Sequence, residues 1–298
     1  MDLGLFGINM NVLAARPAAA LDVARAAEAA GWDSVWTGEH YVLPDPRAAG
    51  SPAPPETPML DPFVALAAIA ACTSTLRVAT GVTVVPVHHP IKLAKQVASL
   101  DRLSGGRFLF GVGAGYLAAE FAALDVPLAG RGARMDDHLA AMRALWTQAP
   151  AAHDGTHSRF SAVRAEPRPV QQPGPPLHVG GYAARSYERA VTQGQGWYGF
   201  ALGPEATEAC VAALRRALDE HDRPDDLGPL QISVTPDPRL DLDDATLAAY
   251  AALGVTRLIP LGPWRGREEP DAIIRFVDDL AARVARHPDL AAATGPRP

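Results

Sequence analysis

Several short stretches carry residue types that can do chemistry. Gly38-Glu39-His40-Tyr41 places a histidine directly after the apolar run Ser34–Thr37. An imidazole there can hydrogen-bond a ligand or move a proton near neutral pH, or it can be a structural histidine bonded to a backbone carbonyl. Thr80-Gly81-Val82-Thr83 sets a glycine inside a β-rich run. Such a glycine marks a bulge, a close backbone approach to a ligand, or simple packing. Gly111-Val112-Gly113-Ala114-Gly115-Tyr116 clears side chains from a turn, so that a flat ring or a phosphate can reach the backbone at Gly113 and Gly115. Its spacing is not the dinucleotide fingerprint. Tyr116 can position a substrate or act as a weak acid. Glu120, four residues on, either faces the same place or, more commonly for such a residue, lies on a solvated helix face. Gly180-Gly181 enters a helix that begins near Arg185-Ser186. That turn offers free backbone N–H groups and the positive end of a helix dipole, which suit a phosphate, although an ordinary strand-to-helix turn has the same form. His88 and His89 are adjacent and diverge, so they make a poor metal site, and no metal is expected.

The elements that must position these residues alternate along the chain. Strands are expected at Leu3–Ile8, Ser34–Thr37, Val78–Val85, Phe108–Val112, Leu177–Val179, Trp197–Ala201, Leu230–Val234 and Arg257–Leu261. Between them, helical patterns cover Pro17–Ala30, Asp61 to about Thr73, Pro90–Leu103, Arg134–Trp146, Arg185–Gln193, Glu205–His221, Asp244–Leu253 and Asp271–Arg286. Pro17 with Gly31, and Asp61 with Pro62, follow the usual asymmetry of helix starts and stops. Strand–helix alternation implies a parallel sheet, and eight units in this length suit a closed (β/α)8 TIM barrel. The beat breaks between Gln148 and Pro176, an insertion before strand five that covers one end of the core, with a short hairpin expected near Arg159–Arg164. In such a barrel the active site lies at the carboxyl ends of the strands, where the stretches above fall. Trp32, Trp146 and Trp197 read as core, Trp36 as pointing into the barrel, and Trp264 as lining its mouth. The last dozen residues read as loose.

The 298 residues are 48% hydrophobic and 20% charged, with a net charge of −6, which fits a large packed core and one domain over residues 1–298. Nothing resembles the basic footprint of a nucleic-acid binder. No apolar run is long enough for a membrane span, and the first residues lack the pattern of a signal peptide. Two distant cysteines, Cys72 and Cys210, suggest a reducing, cytoplasmic location rather than a disulfide framework.

A set of motifs then adds a resemblance. It is carried by Ala27–Gly31 with Ser34–His40, Ala79–Val82, His89-Pro90 through Lys95-Gln96, Leu100-Asp101, Leu103–Arg107, Gly111–Tyr116 and Glu120-Phe121. Arg131-Gly132 through Arg134-Met135, Val179–Gly181 and Gly196-Trp197 complete it. Together they resemble the luciferase-like monooxygenase superfamily, and within it the branch of coenzyme F420-dependent oxidoreductases. The resemblance implies a deazaflavin across the barrel mouth and hydride transfer to or from a small organic substrate. It places Glu39 and His40 near the reactive ring. Thr80, Gly81 and Val82 would form a bulge, often with a non-prolyl cis peptide, behind that ring. Gly180 and Gly181 would match the phosphate turn, beside the candidate cofactor contacts Gly113, Gly115 and Arg185 read from the residues themselves. A homodimer is implied as well. Tyr116 stands where some F420-dependent sugar-phosphate dehydrogenases carry a glutamate acid, so their substrate and acid–base scheme do not carry over. FMN-using relatives also have Glu-His after strand two. An FMN-dependent monooxygenase using reduced flavin and oxygen therefore stays open, as does a catalytically silent flavin-binding barrel. An unrelated phosphate-binding barrel lyase is a weaker alternative, because no paired lysine and carboxylate stand out for Schiff-base work.

Overall fold

The computed structural model describes residues 1–263 and 269–287. In chain order the strands are β1 (Asp2–Phe6), β2 (Ser34–Thr37), β3 (Arg77–Thr80), β4 (Thr83–Val84), β5 (Phe108–Gly113), β6 (Ala151–Asp154), β7 (Arg159–Val163), β8 (Leu177–Gly180), β9 (Gly196–Leu202), β10 (Gln231–Pro236) and β11 (Arg257–Leu258). The helices are α1 (Asn11–Ala15), α2 (Pro17–Ala29), α3 (Pro62–Cys72), α4 (Pro90–Leu103), α5 (Ala118–Ala123), α6 (Arg131–Thr147), α7 (Ala184–Thr192), α8 (Pro204–Glu220), α9 (Asp244–Ala252) and α10 (Pro270–Ala285).

Parallel pairing runs β1-β2-β3-β5-β8-β9-β10-β11 and closes when β11 returns to β1, with Asp2 opposite Arg257 and Leu3 opposite Leu258. This is the closed eight-stranded parallel barrel that the alternation implies. Its helices start where the sequence chemistry says they should. Asp61 caps α3 by accepting from Val64 N at 2.9 Å, and Pro62 follows at the first helical position. Pro17 opens α2, which buries Ala20, Val23, Ala24 and Ala27, one helical face, against the barrel wall.

The wall itself has two sides. Outward residues of the strands join the helices in one large core. Inward residues form a smaller one: Phe6, Trp36, Ala79, Leu109, Tyr198 and Ile259. Trp36 and Tyr198 stack there with centroids 5.3 Å apart, so Trp36 does point into the barrel. Trp32, Trp146 and Trp197 are buried, as read from the sequence, while Trp264 and the last dozen residues save His287 lie outside the described residues.

The amino-terminal end of the barrel is closed by charge. Arg257, 2% exposed, donates to Asp33 Oδ2 at 2.7 Å and to Ser233 Oγ at 3.2 Å, and Arg77 lies 3.3 Å from Asp33 Oδ1. The carboxyl-terminal end is therefore the one left for a ligand.

Three expectations need correction. Val78–Val85 is not one strand: pairing stops at Thr80 and resumes at Thr83, and the Gly81–Val82 peptide between is cis. The hairpin of the insertion is β6 with β7, so Arg159–Arg164 supplies only its second strand. The last barrel strand is shorter than Arg257–Leu261, with only a bridge from Leu261 to Phe6 beyond Leu258. The insertion precedes β8, the fifth barrel strand, as expected. It packs along α4, where buried Asp101 accepts from Val170 N at 2.6 Å and Gln171 N at 3.0 Å.

Both cysteines are free. Among the described residues no helix is long and apolar enough to cross a membrane, and no group of three or more His, Cys, Asp or Glu side chains could hold a metal.

Candidate active site at the barrel mouth

The floor of the mouth is built around Val82. A Cβ placed on Gly113 would stand 2.7 Å from Val82 Cγ2, and one on Gly180 would stand 3.0 Å from Cγ1. Gly111 approaches the chain still more closely: its Cβ would lie 1.7 Å from the Thr80 carbonyl oxygen. The buried Thr80 hydroxyl donates to the Gly111 carbonyl at 2.7 Å and holds this approach. Gly81 sits on the inward core, with Trp36, Phe6 and Tyr198 carbons 3.1 to 3.3 Å from where its Cβ would be. The glycines of β5 and β8 thus clear space for Val82. Gly115 has φ +76° and would strike Val84 and Phe121 with any side chain, so the turn after β5 needs glycine twice over.

One wall follows β2. Gly81 N donates to the Thr37 carbonyl at 2.7 Å, which sets the bulge beside the segment that carries His40. Buried Asn9, just after β1, donates to the carbonyls of Gly38 at 2.9 Å and Leu60 at 2.7 Å, and accepts from Gly38 N at 3.1 Å. Glu39 is buried, 5% exposed, and held by the chain itself. Its carboxylate accepts from Val84 N at 2.5 Å and lies 3.1 and 3.2 Å from His88 Nε2. A buried carboxylate needs such partners to offset its lost hydration. His40 Nδ1 lies 2.9 Å from Glu120 Oε2, and Glu120 Oε1 accepts from Tyr41 N at 2.6 Å. Glu120 is only 2% exposed, so the solvated helix face expected for it is wrong: α5 folds it over the end of β2.

Tyr116 stands edge-on to His40, with ring centroids 6.0 Å apart. Burial, and then the charge of Glu120, push its phenol up, so it is a hydrogen-bond donor at neutral pH. Burial and Glu39 do the same for Tyr41. His89 caps α4, with its Nδ1 3.3 Å from Ile91 N.

The opposite wall follows β8. Gly181 has φ +120° and its carbonyl accepts from Trp197 Nε1 at 2.9 Å. Tyr182 OH donates to the Phe200 carbonyl at 2.7 Å and accepts from Phe200 N at 2.8 Å, tying the turn to the end of β9. Phe200 packs on Phe6 at 5.0 Å. No side chain caps the start of α7. Arg185, in the first turn of α7, pairs with Glu188 and with Asp136 at 3.3 Å.

The structure thus brings His40, Tyr116 and Glu120 together, and separately Thr80, Gly81, Val82, Gly113 and Gly180. Arg185 stands apart, committed to carboxylates. Sequence reasoning passed over Asn9, whose only signal was a polar residue directly after a strand, and the exposed rings of Tyr182 and Phe200.

A barrel closed by charge at one end, with a strand broken at Gly81–Val82 and a histidine after β2 at the other, matches a known family. The family model of luciferase-like monooxygenases covers residues 3–294. The chain belongs to the luciferase-like monooxygenase family. A relative in Mycobacterium tuberculosis, an uncharacterized protein, is 34% identical over 284 residues, covering 90% of this chain and 94% of its own. Among solved structures, the coenzyme F420-dependent tetrahydromethanopterin reductase of Methanopyrus kandleri has TM-score 0.73 at 16% identity, over 96% of this chain and 98% of that one. The oxygenating constituent of 3,6-diketocamphane monooxygenase from Pseudomonas putida, solved with FMN, has TM-score 0.69 at 16% identity, over 96% and 98%. At such identities both structures speak to the fold alone.

Proposed function

We propose that this luciferase-like barrel binds coenzyme F420 at its mouth and transfers a hydride between it and a small organic substrate. The observation that carries the reading is the make-up of the rim. Tyr41, Tyr116, Tyr182 and Phe200 come from the carboxyl ends of four different strands and remain 43%, 54%, 50% and 41% exposed, Tyr116 with its ring 6.0 Å from that of His40. Large rings left open at the carboxyl end of the barrel fit the faces of a flat heterocycle.

The deazaflavin would supply the hydride chemistry when bound. The protein's part is to hold, orient and dry the reactants. Val82, seated on Gly113 and Gly180, and Gly81 and Thr80 beside it, would support the back of the ring. Gly115 keeps the turn that carries Tyr116. Gly180, Gly181 and the uncapped first turn of α7 would take the phosphate on backbone N–H groups, and Arg185 would join only by leaving Asp136 and Glu188. His40 would hydrogen-bond the ring or substrate and move a proton at Nε2, with Glu39 fixing the segment through Val84 and His88. Tyr116 would position the substrate through its hydroxyl. A homodimer in the cytoplasm is part of the same proposal.

Equilibrium binding of the purified protein to F420 and to FMN, side by side, tests it. F420 should bind with a Kd at least about tenfold lower, a difference of about 1.4 kcal/mol. Preference for FMN would replace the reading with a flavin monooxygenase, and binding of neither would overturn both.

A further inference from the structure

We infer that Glu120 is a positioning residue that fixes the proton of His40 on Nδ1 and so leaves Nε2 as the proton-accepting atom at the mouth. The role rests on the reading of this mouth as the active site. The geometry comes from both oxygens of one carboxylate. Oε2 lies 2.9 Å from His40 Nδ1, and Oε1 accepts from Tyr41 N at 2.6 Å. Glu120 thus grips two consecutive residues after β2 from a helix 80 residues further on. It is 2% exposed, and no other hydrogen-bond donor reaches it among the described residues.

An ionised carboxylate only accepts. The ring nitrogen facing it must therefore carry hydrogen, whatever the charge on the imidazole. His40 Nε2 forms no hydrogen bond among the described residues, on a side chain that is 13% exposed. When the ring is neutral, Nε2 holds a free lone pair, ready to take a proton from a substrate group such as a hydroxyl losing hydride. When the ring is charged, the same atom returns that proton. Either way the proton is exchanged at Nε2, while Nδ1–H stays on Glu120.

Glu120→Gln is a near-isosteric test. A carboxamide has one acceptor and one donor end. Its oxygen would keep the Tyr41 N–H, because an NH2 there would meet another donor. The NH2 would then face Nδ1, which must become the acceptor, and the neutral ring would move its proton to Nε2.

The measurement is the ring tautomer of His40, read by long-range proton–nitrogen correlation on histidine-labelled full-length protein, at a pH where the ring is neutral. The His40 signals are identified by their loss in His40→Gln. Wild type should show Nδ1–H with a bare Nε2, the reverse of the form that free histidine favours, and Glu120→Gln should show Nε2–H. A residue with a merely structural role would change the melting temperature without exchanging the tautomer. A wild-type ring protonated at Nε2 would overturn the assignment whether or not the variant folds, and so would an unchanged tautomer in folded Glu120→Gln. No cofactor enters this experiment, so failure to bind F420 or FMN would sink the proposed function and leave the tautomer result to be judged by itself.

Discussion

Val82 Cγ2 lies 2.7 Å from the point where a Cβ on Gly113 would stand. Valine is stiff about χ1, so its methyl cannot swing away cheaply. Gly113→Ala should therefore force the bulge upward and cost about 1–3 kcal/mol, the usual penalty of overpacking. Val82→Ala alone should lose less, since it only empties the hollow. The double variant should recover most of the Gly113→Ala loss, because the added methyl occupies the vacated space. Urea unfolding of the four proteins gives the coupling energy, and simple additivity would contradict the packing described.

His40→Ala should lower turnover by about a hundredfold with the fold intact, the low end of what a positioned acid–base group contributes. Cofactor affinity should fall by no more than the one hydrogen bond His40 would give the ring, because the rim rings and the Val82 floor remain. Steady-state kinetics beside a thermal melt separate the two effects. Full activity in that variant would remove His40 from the chemistry.

Why His40 was legible in the sequence and Glu120 was not has a physical reason. The barrel follows from local signals: apolar runs of strand length, and helix punctuation such as Asp61-Pro62. His40 inherits its place from β2, so its position at the mouth follows from the fold class alone. Glu120 is buried only because α5 folds back over residues 80 positions earlier, a contact with no local trace. The break at Gly81–Val82 was blurred for a similar reason. Both flanks are equally β-prone, and the break shows only in the one-residue shift of register against β5, from Ala79 opposite Leu109 to Thr83 opposite Val112. The glycines of β5 and β8 were visible as small residues. What fills the space above them depends on three strands meeting.

The charged end of the barrel carries stability rather than chemistry. Burial alone would raise the Asp33 carboxyl, but the charges of Arg257 and Arg77 outweigh it and hold it below its usual range. Arg257→Met leaves that buried carboxylate short of its main partner and should cost about 3–5 kcal/mol. Asp33→Asn added to Arg257→Met should restore a good part of the loss, since no charge is then stranded. Denaturant midpoints of the single and double variants decide the matter, and a double variant as unstable as Arg257→Met would rule the ion pair out as the cause.

His178, on β8, is wholly buried edge-on to Trp36, and neither ring nitrogen has a hydrogen-bond partner. Burial, and then the charge of Arg257, push its imidazole down to about 3. The unfolded chain therefore binds a proton at this residue below its ordinary value of about 6.5, and the folded chain does not. Unfolding takes up that proton, so stability is full above the unfolded pKa and falls with pH from there toward the folded value of about 3. Between pH 7.5 and 5 this one residue should cost the fold about 2 kcal/mol. His178→Leu removes the titration, and should also gain stability at neutral pH by removing two unpaired polar atoms from the barrel core. Urea unfolding at the two pH values gives the comparison directly. A variant that loses as much stability on acidification as the wild type would move the cause to the carboxylates around Arg257.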